Sequence, residues 1–543
     1  MFDHGEPVAK RAGQIVIRGG TVYDGSGQAP VAADVTIAGD RIAAVGPNQE
    51  GNVVDAAGLA VAPGFVNMLS WATESLIEDG RGQSDIRQGV TLEVFGEGES
   101  MGPINEAMAE ELVRRQTNIR YDIEWTSLGE YLEYLERRGV APNVASFVGA
   151  ATVREHVIGF DDRPPTAAEL EQMQALVQAA MAEGAVGVGA ALIYPPGSYA
   201  QTDELIALAG VAAAGDGMLT AHIRSEGDRL LEALDELIEI AEATGVRAEV
   251  HHLKAAGAAN WGKLEAAIDR IELARQNGLH VTANMYTYSA AGTGLTAGFP
   301  PWVHEGGFEA LLRRLRDPDL RARVEQEMTT PNQEWENLFL LAGPEKIRFT
   351  KFATEELRPL TGRTLADAAR MRGQSPAQAA IQLVVEDGSR VDAAFFLMSE
   401  ANVRREVALP WMSFCSDSIA AAPEGVFLEA LPHPRAYGSF ARLLGRYVRD
   451  EGLVPLEEAV RRLTSMPASH LGLQDRGRLR PGHFADVVVF DPATVADHAT
   501  FDAPHRYAGG VVHVLVNGTA VILDGEPTGA LPGRVVRGPA WRR

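Results

Sequence analysis

The fold is decided by one stretch: Met218-Leu-Thr-Ala-His222-Ile-Arg-Ser-Glu-Gly227, a helix-like segment from Leu230 to Thr244, then Arg247-Ala-Glu-Val-His-His252-Leu-Lys254. Two short apolar runs each close on a histidine, and the segment between them has helical spacing. Strands joined through a helix in this way belong to a parallel sheet. A parallel barrel gathers its reactive groups at such strand ends. Imidazole is the commonest metal ligand, and a carboxylate often completes a zinc site. Asp417, in Ser413-Phe-Cys-Ser-Asp417, closes another apolar run far downstream and offers one.

Working outward, the alternation repeats. Asn143–Ala150 precedes the helical pattern of Ala167–Ala182, Val186–Leu192 precedes Asp203–Ala214, and Arg247–His252 precedes Lys263–Gln276. Repeated strand–helix units predict a parallel sheet, either a (β/α)8 barrel or a doubly wound one. Gly96-Glu-Gly-Glu99 lacks the later glycine of a dinucleotide fingerprint and the Gly-Lys-Ser of a P-loop, which favours the barrel. The two ends of the chain differ from this middle. Ile15–Gly25, Ala33–Gly46, Ala485–Pro492 and Val511–Gly518 are β-branched runs closed by turn residues. The expected organisation is therefore α/β: a (β/α)8 TIM barrel over 63–475, with a small β-sandwich built from 1–62 and 476–543. Phe299-Pro-Pro-Trp302 and Pro331-Asn-Gln-Glu-Trp-Glu-Asn337 interrupt the alternation, so 294–349 reads as an insertion over the barrel mouth.

At 543 residues the chain exceeds a single core, consistent with two domains. No run of about 18 uncharged apolar residues predicts a membrane span. Met1-Phe-Asp-His-Gly-Glu-Pro7 does not read as a secretory signal. The single cysteine, Cys415, forms no intramolecular disulfide framework and fits a reducing cytoplasm; it reads as a small packed residue. With 49 basic and 73 acidic residues the net charge is −24, which repels nucleic acid and anionic lipid. A carboxylate-bearing substrate would then need a local cationic clamp.

Together these blocks resemble the amidohydrolase superfamily, and within it the N-acyl-D-amino-acid deacylases (D-aminoacylases). The resemblance is carried by Ala62-Pro-Gly-Phe65, Gln88-Gly-Val-Thr91, Ile193-Tyr-Pro-Pro-Gly197, His222-Ile-Arg-Ser-Glu-Gly227, His252-Leu-Lys-Ala-Ala-Gly-Ala-Ala-Asn-Trp-Gly262, Ser416-Asp417, His433-Pro-Arg-Ala-Tyr-Gly-Ser-Phe440 and Gly477-Arg-Leu-Arg-Pro-Gly-His-Phe-Ala-Asp486. Each block is weak alone; their order and spacing are specific. The resemblance implies zinc-dependent hydrolysis of an amide. His222 and His252 match the family's paired histidine ligands, and Glu97 falls where the D-aminoacylases carry a bridging cysteine. Alternation faces His251 and His252 to opposite sides, and the resemblance selects His252.

The departure from the family is equally specific. Where the family has His-x-His after Pro-Gly-Phe, this chain reads Pro63-Gly-Phe-Val-Asn-Met-Leu-Ser-Trp71, placing Leu69 and Trp71 at the two histidine positions. One metal subsite loses its ligands, so a single Zn2+ per chain is expected on Glu97, His222 and His252, with other divalent transition metals also compatible. By the same resemblance Asp417 is the catalytic base and Arg435 the carboxylate-binding arginine. Lys254 is a second candidate for the clamp, and Tyr286 and Tyr288 are candidates for a hydroxyl near the scissile group.

The expected function is deacylation of an N-acyl-D-amino acid or a related carboxylate-bearing amide. Two alternatives stand beside it: an amidohydrolase for a more hydrophobic amide or peptide, and a degenerate barrel that binds a small acid or a protein partner. A homo-oligomer is left open.

Overall fold

A computed structural model describes residues 13–47, 51–332 and 334–542. The reading of Met1–Pro7, and the start of the 1–62 segment, lie outside these residues. Eight parallel strands form the barrel: Phe65–Asn67, Val90–Phe95, Asn143–Ser146 continued after Phe147 by Val148–Gly149, Gly187–Ala191, Met218–His222, Arg247–Val250, Val281–Met285 and Met412–Phe414. Neighbouring strands pair in parallel, as between Ala191 and His222 or between Met285 and Phe414. The ring closes where the Met68 amide donates to the Phe414 carbonyl at 3.4 Å.

Local chemistry sets these elements. The helix Leu230–Thr244 buries Leu230, Leu234, Leu237, Ile240 and Ala241 on one side, the spacing of an amphipathic helix. It stops at Gly245, whose left-handed φ of 69° ends the helical ladder. Val246 then leads into the sixth strand and delivers His252 to its end. Each leucine or isoleucine fully buried in this way contributes about 1.5–3 kcal/mol.

The terminal strands form one nine-stranded sheet among the described residues. Ile15–Val22 belongs to both of its halves: Ile15–Arg18 pair with Asn52–Asp55, and Thr21–Val22 pair with Ala60–Pro63. A register shift between Ile17 and Gly20 bends the strand. The sheet thereby folds over a shared core in which Ile17, Val35 and Ile37 meet Val487, Val489 and Leu515. Both ends of the chain contribute to this β-sandwich.

The excursion between the seventh and eighth strands is larger than the sequence reading of 294–349. It holds an antiparallel sheet of Ala291–Gly294, Ile347–Lys351 and Asp392–Phe395, with the last in the centre. A separate apolar core including Phe299, Leu311, Phe349, Leu365, Ile381 and Phe395 binds sheet and helices into one body from Ala291 to Leu397. The helices Leu365–Arg372 and Pro376–Asp387 lie beyond the predicted boundary and belong to this body. The body lies on the loops that follow the barrel strands. Tyr194 donates to Thr293 at 2.9 Å, Ser225 donates to Glu336 at 2.7 Å, and the Gly257 amide donates to the Leu397 carbonyl at 2.9 Å.

Candidate active site

The C-terminal ends of the strands bring the predicted polar residues together. Glu97 follows the second strand, His222 ends the fifth, His252 follows the sixth, Tyr286 the seventh and Asp417 the eighth. Gly96 makes the turn before Glu97 with φ of 102°; a Cβ there would lie 2.4 Å from the Phe147 carbonyl oxygen. His252 and Asp417 also have positive φ, 35° and 47°, a conformation non-glycine residues adopt only when their surroundings hold them there. The His252 amide donates to Asn284 Oδ1 at 2.8 Å, and the Asp417 amide donates to the Leu69 carbonyl at 2.9 Å.

At the centre, Glu97 Oε1 lies 3.1 Å from His222 Nδ1 and 2.7 Å from His252 Nε2. All three residues are buried, and each can turn one ligand atom into a common space. Burial raises the Glu97 carboxyl, but the His252 and His222 imidazoles outweigh it and hold it well below the usual carboxylate range. Burial and Lys254 push the His252 imidazole down, yet Glu97 and Glu226 prevail and bring it up to about 9. The cluster thus draws positive charge into its middle. Two imidazole nitrogens and one carboxylate oxygen are the donor set of a catalytic zinc site, so the residues fit the metal.

Of the two adjacent histidines, His252 is the one whose ring stands with Glu97 and His222. His251 turns into the barrel interior, its Nδ1 2.9 Å from Asn284 Nδ2, and burial lowers it to about 4. Asn284 serves both neighbours, accepting from the His252 amide and donating to Glu249 at 2.8 Å.

Around the cluster, the predicted substrate contacts are partly engaged within the protein. Lys254 donates to Glu226 and lies 2.8 Å from His252 Nδ1. Arg435 Nη1 donates to Asp417 Oδ2 at 2.6 Å, while its guanidinium sits 4.5 Å over the Tyr286 ring. Its Nη2 has only a 3.4 Å contact to the Gly292 carbonyl, and its buried Nε has no hydrogen-bond partner. Tyr286 sets its ring edge to His252 at 6.4 Å. Tyr288 is a correction: its hydroxyl donates to Asp497 Oδ2 at 3.0 Å and its ring carries Arg442, which removes it from the hydroxyls open to a substrate.

Sequence reasoning missed three residues. Glu226, four positions after His222, lies 2.9 Å from His252 Nδ1. Tyr194 sets its ring centre 5.3 Å from that of His222, the two planes inclined at 71°. Trp71 Nε1 donates to Glu97 Oε2 at 3.0 Å and to Asp417 Oδ1 at 3.2 Å. Glu226 and Tyr194 stand within motif blocks already legible, so proximity to the histidine and to Pro-Pro was the available signal.

Known proteins agree with this geometry. Residues 52–522 match the amidohydrolase family profile. The chain is 34% identical over 531 residues to a D-aminoacylase of Alcaligenes xylosoxydans xylosoxydans, covering 96% of this chain and 97% of that one. It is similar to the crystal structure of N-acyl-D-glutamate deacylase from Bordetella bronchiseptica complexed with zinc and a phosphonate mimic of the tetrahedral intermediate, with TM-score 0.79, 32% identity and coverage of 96% and 99%. It also matches, at TM-score 0.79 and 33% identity over 96% and 99% of the two chains, a D-aminoacylase whose binuclear metal centre shows one-metal activation and second-metal attenuation. The chain belongs to the amidohydrolase family, in its N-acyl-D-amino-acid deacylase group.

Proposed function

We propose that the protein hydrolyses the amide of an N-acyl-D-amino acid, using one divalent metal ion, zinc by analogy with its relatives. The observation that carries this reading is the convergence of Glu97, His222 and His252 with Asp417 at one barrel mouth. A zinc ion held by Glu97, His222 and His252 supplies Lewis acidity, which lowers the pKa of a water and polarises a carbonyl.

The remaining work falls to the protein. Glu226 accepts from His252 Nδ1 and keeps Nε2 turned to the common space. Asp417 is the base that takes the proton of the attacking water and returns it to the leaving amine. Its Oδ1 is the better proton site, because Oδ2 faces the Arg435 guanidinium at 2.6 Å. Arg435 offers its Nε–Nη2 edge, with Nε unpaired and Nη2 held only by the 3.4 Å contact to the Gly292 carbonyl, to the substrate carboxylate, a bidentate geometry that a guanidinium suits. Charge supports an anionic substrate: Glu97, Glu226 and Asp417 against Lys254 and Arg435 leave about one negative charge, which a divalent ion reverses.

A second reading is favoured by Leu69, which packs with Tyr286, Tyr288, Cys415 and Met398 beside the site. That apolar wall suits a hydrophobic amide or acyl group. The buried Cys415, its thiol pushed up by burial, is an unreactive packing side chain of that wall. Metal analysis of protein purified without chelator, with a panel of N-acyl-D-, N-acyl-L- and carboxylate-free amides, tests these readings. One equivalent of metal and D-selective turnover are expected, with Asp417→Asn lowering kcat by roughly 10² or more at unchanged metal content. Protein that binds no metal would overturn the reading.

A further inference from the structure

We infer that Trp71 is a positioning residue that takes the place of a second cation: its indole N–H bridges the Glu97 and Asp417 carboxylates and confines the centre to one metal ion. The inference rests on the one-metal reading above and adds what enforces it. Glu97 Oε2 and Asp417 Oδ1 are both acceptors of the same N–H, at 3.0 and 3.2 Å. The other oxygen of each carboxylate is differently engaged: Glu97 Oε1 faces the two imidazoles, and Asp417 Oδ2 holds Arg435. The indole therefore holds one oxygen of each carboxylate: Glu97 Oε2, which leaves Oε1 to the imidazoles, and Asp417 Oδ1, the proton site, which it aims while Arg435 holds Oδ2.

Two buried anions turned toward one point repel unless something positive lies between them. An indole N–H supplies a partial positive charge that cannot dissociate. It has no lone pair to offer a metal, because the indole nitrogen is a donor only. An ion entering between Glu97 and Asp417 would have to displace both hydrogen bonds and the ring. The backbone holds the ring there. The Trp71 amide donates to the Ser418 carbonyl at 2.9 Å, and the Leu69 carbonyl accepts from the Asp417 amide at 2.9 Å. The segment after the first strand is thus laced to the segment that carries Asp417, and Trp71 moves with the carboxylate it orients. Leu69, at 1% exposure, adds no donor to the same corner.

The test uses full-length protein, zinc alone as the probe, and three forms: the parent, Trp71→Phe and Trp71→His. Zinc is counted after equilibration at rising free concentration, and kcat and KM are read on an N-acyl-D-amino acid. The parent is expected to stay at one equivalent through zinc excess. Trp71→Phe keeps the ring and loses the N–H; it should retain the first equivalent, lower kcat by roughly 10-fold or more and move KM by less than about 3-fold, the scale for groups that orient a metal site. Trp71→His places a ligand between Glu97 Oε2 and Asp417 Oδ1, and should take up a second equivalent. A parent that binds a second zinc overturns the inference, as does a Trp71→Phe protein with parental kcat or a folded Trp71→His protein that stays at one equivalent. If Trp71→His fails to fold, the Phe variant decides alone. A parent that binds no zinc refutes the proposed function instead, so the two failures are distinct.

Discussion

Glu226 Oε1 lies 2.9 Å from His252 Nδ1, so a carboxylate from the loop after the fifth strand orients the imidazole delivered by the sixth. Lys254 donates to the same oxygen. Burial opposes ionisation of Glu226, but Lys254, His222 and His252 outweigh it and keep the carboxyl well below its usual range. A carboxylate behind a ligating histidine fixes its tautomer and strengthens it as a donor.

Glu226→Gln should therefore weaken zinc binding by roughly 10–100-fold while leaving the fold intact. The measurement is a competition titration against a chromogenic chelator. Parental affinity in the Gln variant would show that Glu226 does not set the tautomer of His252.

The two adjacent histidines give the next expectation. His252→Ala or His222→Ala removes a donor from a three-residue set, and should abolish both metal retention and turnover. His251→Ala should keep the metal, because His251 touches Asn284 inside the barrel. Some loss of affinity, within about 10-fold, is expected there, since Asn284 also braces the His252 amide. Metal content of the three purified variants is the readout.

The sequence already places several of these candidate residues at strand ends. His222, His252 and Asp417 sit at strand ends, and a barrel of parallel strands can place strand ends nowhere but around one rim. The domain plan was legible for a similar reason: period-two runs at both termini cannot pack as barrel helices. What escaped was pairwise side-chain geometry. No spacing rule predicts that Trp71 reaches two carboxylates distant in sequence, or that Tyr288 turns to Asp497 rather than inward. The body from Ala291 to Leu397 was underestimated because its helices carry the same amphipathic signal as barrel helices, and only its separate core distinguishes them.

A pH expectation follows from the barrel interior. Glu93 is wholly buried and keeps its proton up to about 7, because burial outweighs the hydrogen bonds from Ser70 and Asn67. Asp85, also wholly buried, is raised by burial and by Glu93, and neither of its oxygens has a hydrogen-bond partner. An unfolded glutamate releases its proton near 4.3. The native state thus holds more protons than the unfolded state in between, so this contribution to stability is complete below about pH 4 and is lost as pH rises through about 7. Glu93→Gln removes the linkage. Its stability relative to the parent should rise by roughly 1–3 kcal/mol between pH 5 and pH 8, read from denaturant unfolding at each pH. A constant difference across that range would show that Glu93 is ionised in the native protein throughout.

The last expectation concerns Arg435, whose two duties can be separated. Nη1 holds Asp417 Oδ2, and the Nε–Nη2 edge is the proposed grip on the substrate carboxylate. An ammonium at this position keeps the charge and loses the fork, so it cannot satisfy both partners at once. In Arg435→Lys, kcat should fall for every amide, because Asp417 loses its fixed partner. KM should rise by roughly 10–100-fold only for substrates that bear the carboxylate, the scale of a lost charge-assisted hydrogen bond. A matched pair, an N-acyl-D-amino acid and its carboxamide, separates the effects. A KM increase confined to the acid assigns the grip to Arg435. Equal KM changes for acid and carboxamide would leave Arg435 with Asp417 alone, and would shift the search for the carboxylate site to Lys254, the other cation placed beside the cluster.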